Sequence, residues 1–477
     1  MKFDLSKSLH TKHIKYGGYA ALITIAVIAG LILINLLLGQ FSPRFDLTEN
    51  QLFSLSEQTK QVLADLKSPV KIFGLWAPGQ EVTQVAEVIQ FYTDANRNIH
   101  FEAVDPDRNP GLLTKYDKDK TGLSSGTLIV EGEKGFKVIP YMDMLDIDYS
   151  NPQSPRVTGF GVEKRITSAI IYAGTGITPV IYEISGHQET SLSQLQMQET
   201  IEKENYSLLP LNLLRQDVPQ DASALIINSP KTDLAPGEAE RILAYLEKGG
   251  RLLILADMQS GQETPNLNDM LKSYGIRFDY GLAVETDQNF TVRNPYFIIP
   301  HLSSHDITKS LMDKETPLVL SFAQGLSALE TRRRTVEVTP FLNTSPQAYL
   351  RTDPGNNSAY RLPGDISGPI VMGMAVRDPQ YAAGQEPQTR IVAIASGSLL
   401  DIGIYSQIPG NVELFMDSLF WLEERADAVS VSSKSLFTFP LRINAMHMIV
   451  FGAIFVVLIP LACFIAGFVT WLKRRHL

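Results

Sequence analysis

The sequence predicts an α/β protein carried between two membrane-spanning helices, on three observations. Two long apolar runs, 16–39 and 446–471, stand at opposite ends of the chain. Between them, short runs rich in β-branched and aromatic residues alternate with stretches of helical periodicity. Several of those runs, such as 224–228 and 251–257, are almost wholly apolar, as strands of a parallel sheet covered on both faces are.

The run 446–471 holds 26 residues and no formal charge before Lys473-Arg474-Arg475. At about 1.5 Å per helical residue it can cross a hydrocarbon core of about 30 Å. The run 16–39 is longer than the core of a signal peptide, and Gly39-Gln40-Phe41-Ser42-Pro43 offers no small-residue cleavage site, so it reads as an uncleaved anchor. Lys2, Lys7, Lys12 and Lys15 before it outnumber the single Arg44 beyond it, which puts the N-terminus on the cytoplasmic side. A second crossing returns the C-terminus there. Everything between is then extracytoplasmic.

The net charge of -9 divides unevenly. Each basic tail, 1–15 and 472–477, carries +3, which leaves about -15 for the middle. So acidic a region is a poor match for nucleic acid or an anionic lipid surface. The one cysteine, Cys463, lies inside the second run. The outer region therefore has no disulfide, cysteine zinc cage or thiol nucleophile.

In chain order, Ser54 and Glu57 have capping-box spacing, and Thr59, Val62, Leu63 and Leu66 form an apolar stripe, so a short helix is expected there. A strand at 70–76, a helix bearing Val82, Val85, Ile89 and Tyr92, a strand at 99–104 and a hairpin of 127–131 with 137–140 follow. This alternation of helices and strands ending in a hairpin is a thioredoxin-like layout. The segment Leu75-Trp76-Ala77-Pro78-Gly79 stands where a redox pair would be, and without cysteine it is a scaffold turn.

A second unit opens with 178–186, a strand running into a glycine turn. A helix near 192–204, strands at 208–213 and 224–228, a helix starting near Pro236 and stopping at Gly249-Gly250, and the strand 251–257 continue it. From 289 to 368 the pattern fades into Pro, Asn, Ser and Thr with short strand-like pieces such as 335–338, as in an insertion. Strands at 370–376 and 390–395 and a helix at 411–424 restore it, and 436–442 leads into the second span.

Few polar constellations could carry chemistry. Ser185-Gly186-His187-Gln188-Glu189 lies at the carboxyl end of a strand, where open α/β sheets place ligands. His187 and Glu189 are too few ligands for a metal and read first as a turn or domain contact. The competing reading is an anchored hydrolase using His187 and Glu189 with Asp257. His301 and His305 share an i, i+4 spacing but lack the glutamate of a zinc-protease helix. Arg332-Arg333-Arg334 reads as a solvated turn or an internal ion pair. No Walker loop and no G-x-S-x-G elbow is present. Asn35 and Pro460, within the spans, and Trp421, at the end of the last outer helix, are candidate packing or partner contacts.

Arg44-Phe45-Asp46-Leu47-Thr48, Leu55-Ser56, Ser68-Pro69-Val70, Ser185-Gly186-His187-Gln188-Glu189, Lys248-Gly249-Gly250-Arg251-Leu252-Leu253 and Trp421-Leu422-Glu423-Glu424 occur in the order found in one family. With the two-span frame, the chain resembles the GldG-type auxiliary subunits of ABC transporters, named from gliding motility. The resemblance implies a bacterial inner-membrane protein whose partners are an ABC-2-type permease and its ATPase, with a periplasmic or envelope substrate, no cofactor and no catalysis. It also implies that the central sheet is like that of class I glutamine amidotransferases, a Rossmann-like sheet that also serves without catalysis in a ciliary transport protein. The family's usual glycine after the histidine of the turn is Gln188 here.

The expected organisation is a cytoplasmic tail (1–15), a span (16–39), a thioredoxin-like domain (40–173), an amidotransferase-like domain (174–435) with its insertion at about 289–368, a lead-in (436–445), a span (446–471) and a second cytoplasmic tail (472–477). A scaffold acting without any transporter is the remaining alternative.

Overall fold

The computed structural model describes residues 19, 22–33, 54–77, 79–117, 122–148, 156–258, 263–353, 355–356, 358, 360–379, 388–423, 434–435 and 453–475. The chain divides into two compact units, Met1–Phe53 and Ser54–Leu477. Residues 22–33 of the first are helical. In the second, a π-helical stretch, Ala453–Leu458, runs into the α-helix Ile459–Arg475. Among the described residues no helix is long and apolar enough to cross a membrane, and both expected spans are described only in part.

The second unit opens with α1 (Glu57–Asp65). Its cap lies two residues later than the sequence suggests: Ser56 Oγ accepts from Thr59 N–H at 3.2 Å. Ser56 N–H in turn donates to Glu163 Oε1 at 2.7 Å, across 107 positions of sequence. After α1 come β1 (Val70–Leu75), α2 (Thr83–Ala95), β2 (Ile99–Val104) and the hairpin β3 (Leu128–Glu131) and β4 (Phe136–Ile139). They form a sheet of order β2-β1-β3-β4, with β1 and β2 parallel and the other pairs antiparallel. One face buries Leu63, Val85, Ile89 and Tyr92, and the other Phe73, Leu75, Tyr116 and Ile129.

Next, β5 (Leu145–Asp148) pairs with β6 (Arg156–Phe160), which leads through Gly161 into α3 (Val162–Thr175). Ile166, Ala169, Ile170 and Ala173 of α3 complete the first of those cores. Gly176, at φ 67°, ends the helix in the left-handed conformation that glycine adopts without a steric penalty.

The larger lobe is built on a ten-stranded sheet. Its strands in chain order include β7 (Val180–Ile184), β8 (Ser207–Leu211), β9 (Ala222–Asn228), β10 (Arg251–Leu255) and β11 (Ile276–Asp279). They continue with β12 (Gly325–Ala328), β13 (Glu337–Asn343), β14 (Val371–Asp378) and β15 (Thr389–Ile394). The order is β11-β12-β14-β15-β10-β9-β7-β8, with β13 also on β14. From β15 to β8 the strands are parallel, and from β14 outward antiparallel. The fully buried Leu225, Ile226, Leu253, Ile254, Val392 and Ala393 form its middle, as continuous apolar strands require.

Two sequence expectations change here. The helix near 192–204 contracts to α4 (Gln198–Lys203), because Gln196 turns the backbone left-handed at φ 59°. The stretch 289–368 is no appendage, since β12 and β13 join the main sheet. Pro340 and the register shifts beside it break the alternation by which β13 would be read.

A polar seam joins the lobes. Glu204 Oε1 takes Lys164 Nζ at 2.9 Å and Arg165 Nη1 at 2.8 Å, both from α3. Asn205 Nδ2 donates to Ser168 O at 2.6 Å, and Lys203 Nζ reaches Asp143 at 2.9 Å. Burial pushes the Glu204 carboxyl up, but Lys164 and Arg165 outweigh it and hold it below the usual range. Nearby, on α8 (Gly410–Leu422), Asp417 is buried with no hydrogen-bond partner for Oδ2. Burial, then the Glu413 charge, push its carboxyl up to about 8 against partial offset from Lys314 and Lys164.

Asp417 keeps its proton in the folded state to about pH 8 but in the unfolded chain only to about pH 4. Folding therefore takes up a proton across that window, and stability falls as pH rises through it. Asp417→Asn is expected to flatten this fall and to raise the unfolding free energy at pH 8 by at least about 1 kcal/mol. Denaturant titrations at pH 5 and pH 8 measure it; equal effects at the two pH values would count against the assignment.

Candidate functional site

The strand order β8-β7-β9 makes the carboxyl ends of β7 and β9 a topological switch point, the usual ligand crevice of an open α/β sheet. The turn after β7 brings Ser185-Gly186-His187-Gln188-Glu189 there, and the turn after β9 brings Ser229-Pro230-Lys231. Lys231 N–H donates to His187 O at 2.8 Å and joins the two turns across the crevice.

The His187 side chain fills the space. Its Nδ1 lies 2.8 Å from Glu189 Oε1 and its Nε2 2.8 Å from Glu238 Oε2. Only 4% of His187 is exposed and 1% of Glu238. The Glu189 hydrogen bond, opposed by burial and aided by Glu238, pushes the imidazole up to about 9. It is therefore an imidazolium at neutral pH, with both N–H groups donated to carboxylates. Glu189 Oε2 is also taken, accepting Gly186 N–H at 3.1 Å and His187 N–H at 2.7 Å. Burial pushes the Glu189 carboxyl up, but the His187 hydrogen bond and the backbone donors hold it below its usual range.

Glu238 belongs to the first turn of α5 (Pro236–Leu246), where its Oε2 also accepts Ala235 N–H at 2.9 Å. Its Oε1 is buried with no partner. Beside the cluster, Glu183 accepts Leu192 N–H at 2.8 Å, and burial pushes its carboxyl up to about 7. Neither ring nitrogen of His187 keeps a lone pair for a metal or for a substrate proton. Among the described residues no group of three or more His, Cys, Asp or Glu could hold a metal ion.

The turn is strained at Gln188, which adopts φ 62° with its side chain exposed. That is the left-handed conformation in which glycine is the default residue, and it accounts for glycine at this place in the resembling family. Asp257, the third residue of the hydrolase reading, belongs to a different clasp. Its Oδ1 accepts Gly397 N–H at 2.7 Å and Ser398 N–H at 3.0 Å, and its Oδ2 accepts Ser229 Oγ–H at 3.0 Å. It holds the ends of β9, β10 and β15 together.

The other singled-out residues are dispersed. His301 sits in a short strand with its ring 3.9 Å from that of Phe290. His305 caps α7 (Asp306–Asp313), its Nδ1 accepting Ile307 N–H at 3.2 Å. The two histidines are thus not on one helix. Arg333 makes an internal ion pair, 2.8 Å from the fully buried Asp378, and lies over the Tyr274 ring. Trp421 is packed within its own lobe, under the Arg390 guanidinium and beside His305, and its carbonyl accepts Arg390 Nη1–H at 2.7 Å. Pro460 is the second residue of the helix Ile459–Arg475, where π spacing gives way to α spacing. Asn35 lies outside the described residues.

Glu238 is the member of the cluster that the sequence concealed. Its only local signal is its place two residues after Pro236 at a helix start.

Residues 178–413 match the family described as "ABC-type uncharacterized transport system", and residues 49–145 match one described only as a domain of unknown function. No curated protein matches the chain. Among solved structures it is similar to the mmIFT52 N-terminal domain, at 13% identity and a TM-score of 0.39, over 51% of this chain and 97% of that one. It is also similar to the exo-beta-1,4-mannosidase Op5Man5 from Opitutaceae bacterium strain TAV5, at 10% identity and a TM-score of 0.27, over 71% of this chain and 48% of the mannosidase.

Two outcomes are expected of the cluster. Gln188→Gly should raise the unfolding free energy by about 0.5 to 1 kcal/mol by relieving the left-handed strain; no gain, or a loss, in a denaturant titration contradicts the strained turn. The stability His187 contributes is fully present below about pH 6.5 and lost as pH rises through about 9. His187→Gln should accordingly cost about 3 kcal/mol at pH 6 and clearly less at pH 9.5, and a pH-independent cost speaks against the imidazolium.

Proposed function

Because the chain belongs, through residues 178–413, to the family of ABC-type transport auxiliary components, we propose that it is a non-enzymatic, membrane-anchored subunit of an ABC-2-type transporter complex. In this reading the runs 16–39 and 446–471 cross the bacterial inner membrane and pack on the permease, and both termini are cytoplasmic, near the ATPase. The outer unit is periplasmic and meets the transported substrate or an envelope partner.

The observation that carries the reading is the closed crevice. The place where an α/β sheet ordinarily takes its ligand is filled by His187, and both of its nitrogens are committed to Glu189 and Glu238. A site built in this way fixes the geometry of the β7 and β9 turns. Neither nitrogen of His187 is left to give or take a proton. The parallel half of the large sheet supports an amidotransferase-like ancestry without the nucleophilic cysteine. The β2-β1-β3-β4 order supports the thioredoxin-like reading of the smaller lobe.

The attachment of the outer unit supports a coupling role. Its start, at Ser56, is bonded to Glu163 of α3. Its last described strand, Lys434–Ser435, pairs with β6, which runs into the same helix. In this reading, movement of either anchor is passed to one strand and helix.

Gentle solubilisation of native membranes and capture on an affinity tag should recover an ABC permease and ATPase with the full-length chain. Their absence across several detergents would overturn the proposal. His187→Gln, if it folds, should still recover them, whereas a hydrolase would lose its activity and keep its partners.

A further inference from the structure

Lys434 and Ser435 lie on an edge of β6 in antiparallel register, Lys434 against Phe160 and Ser435 against Gly159. They come 12 positions after Leu422, where α8 ends, and 11 before residue 446, where the second apolar run begins. The other edge of β6 is held by β5 at Leu145, Asp146, Ile147 and Asp148, so β6 has support of its own without this short strand.

What the short strand grips is the approach to α3. Gly161 follows Phe160, donates its N–H to Met144 O at 2.8 Å and forms the cap of the helix. Two residues on, Glu163 accepts Ser56 N–H, and the next two residues, Lys164 and Arg165, hold Glu204 of the large lobe. A pull on 434–435 therefore acts within one helical turn of both the N-terminal attachment and the seam between the lobes. A two-residue ladder offers only one or two backbone hydrogen bonds, each of modest net strength in water. It can hold a position and can also be released.

We propose that residues 434–435 form a releasable strap: paired with β6, it holds α3 and the seam in the arrangement described here, and movement of the second anchor during the transport cycle draws it off. This rests on the transporter reading above, which supplies the force. Release leaves the backbone groups of Gly159 and Phe160 on that edge to water and frees the seam to shift.

The register supplies its own test. Facing residues of an antiparallel ladder have Cα atoms about 4.5 to 5.5 Å apart, within the range a disulfide spans. Cys463 is the chain's one cysteine, so Cys463→Ser gives a thiol-free background. In that background the full-length double variants F160C/K434C and G159C/S435C should each cross-link under mild oxidant. The second pair guards against damage to the Phe160 packing.

In the captured complex, cross-linking should fall by at least roughly fivefold when the transporter is trapped with ATP and vanadate, the low end of ordinary allosteric coupling. Failure of both pairs to cross-link in the folded protein alone overturns the strap, whatever its partners. Equal cross-linking in the nucleotide-free and trapped complexes overturns its release. Failure to recover any transporter would fall on the functional reading, and would remove the release while leaving the pairing itself standing or fallen on the first result.

Discussion

The hydrogen bond from Ser56 N–H to Glu163 Oε1 ties the first residues of the second unit to a helix that lies more than a hundred positions further along the chain. The same helix presents its apolar face to the core of the small lobe through Ile166, Ala169, Ile170 and Ala173. Its Lys164 and Arg165 hold Glu204, and its Ser168 holds Asn205. Thr167 adds hydrogen bonds to Thr59 at 3.0 Å and to Tyr92 at 2.6 Å. The placement of the start of the unit, of α2 and of the large lobe thus converges on α3. An apolar face can rest on a core while polar residues a turn away make directional contacts, because side chains three and four apart share a helix face and the intervening ones do not.

The two polar networks of the second unit use charge differently. In the crevice, an imidazolium between two carboxylates is sealed from water, so breaking it leaves a buried charge exposed to a low dielectric and costs far more than the pair would yield at a surface. It acts as a fixed spacer between the turns after β7 and β9. At the seam Glu204 is buried, but Lys164 and the Lys203–Asp143 pair are partly exposed, and contacts of that kind are weakened by salt. A joint of that kind resembles a transient interface more than a core, and relative motion of lobes is the ordinary expectation for it. Asp417, buried without an acceptor's partner beside this joint, is a further sign that the packing there is not optimised for stability.

Much of the fold was legible in the sequence. The apolar runs that became β9, β10 and β15 lie within two residues of their expected places, because a strand buried on both faces needs no alternation to be recognised. The helix that starts at Pro236 and stops before Gly249-Gly250 follows from backbone chemistry alone. The hairpin of β3 and β4 was similarly plain. What escaped reading was long-range or backbone-driven. Glu238 reaches His187 across 51 positions, and Glu163 reaches Ser56 across 107, and neither pairing leaves a periodic trace. β13 was legible only as the strand-like piece at 335–338, because Pro340 breaks its alternation, and α4 was cut short by the left-handed Gln196. His187 and Glu189 were found as a pair, but whether they were a free catalytic pair or a closed one depended on Glu238.

In the proposed complex, movement enters the second unit through β6 and α3 and leaves the His187 crevice undisturbed. Hydrogen–deuterium exchange of the full-length chain in the captured transporter complex, compared between nucleotide-free and vanadate-trapped states, follows that route. Exchange is expected to change at 156–175 and 198–205 while 185–189 keeps its protection. A change confined to 185–189, with α3 and the seam unaltered, would contradict it and return function to the crevice.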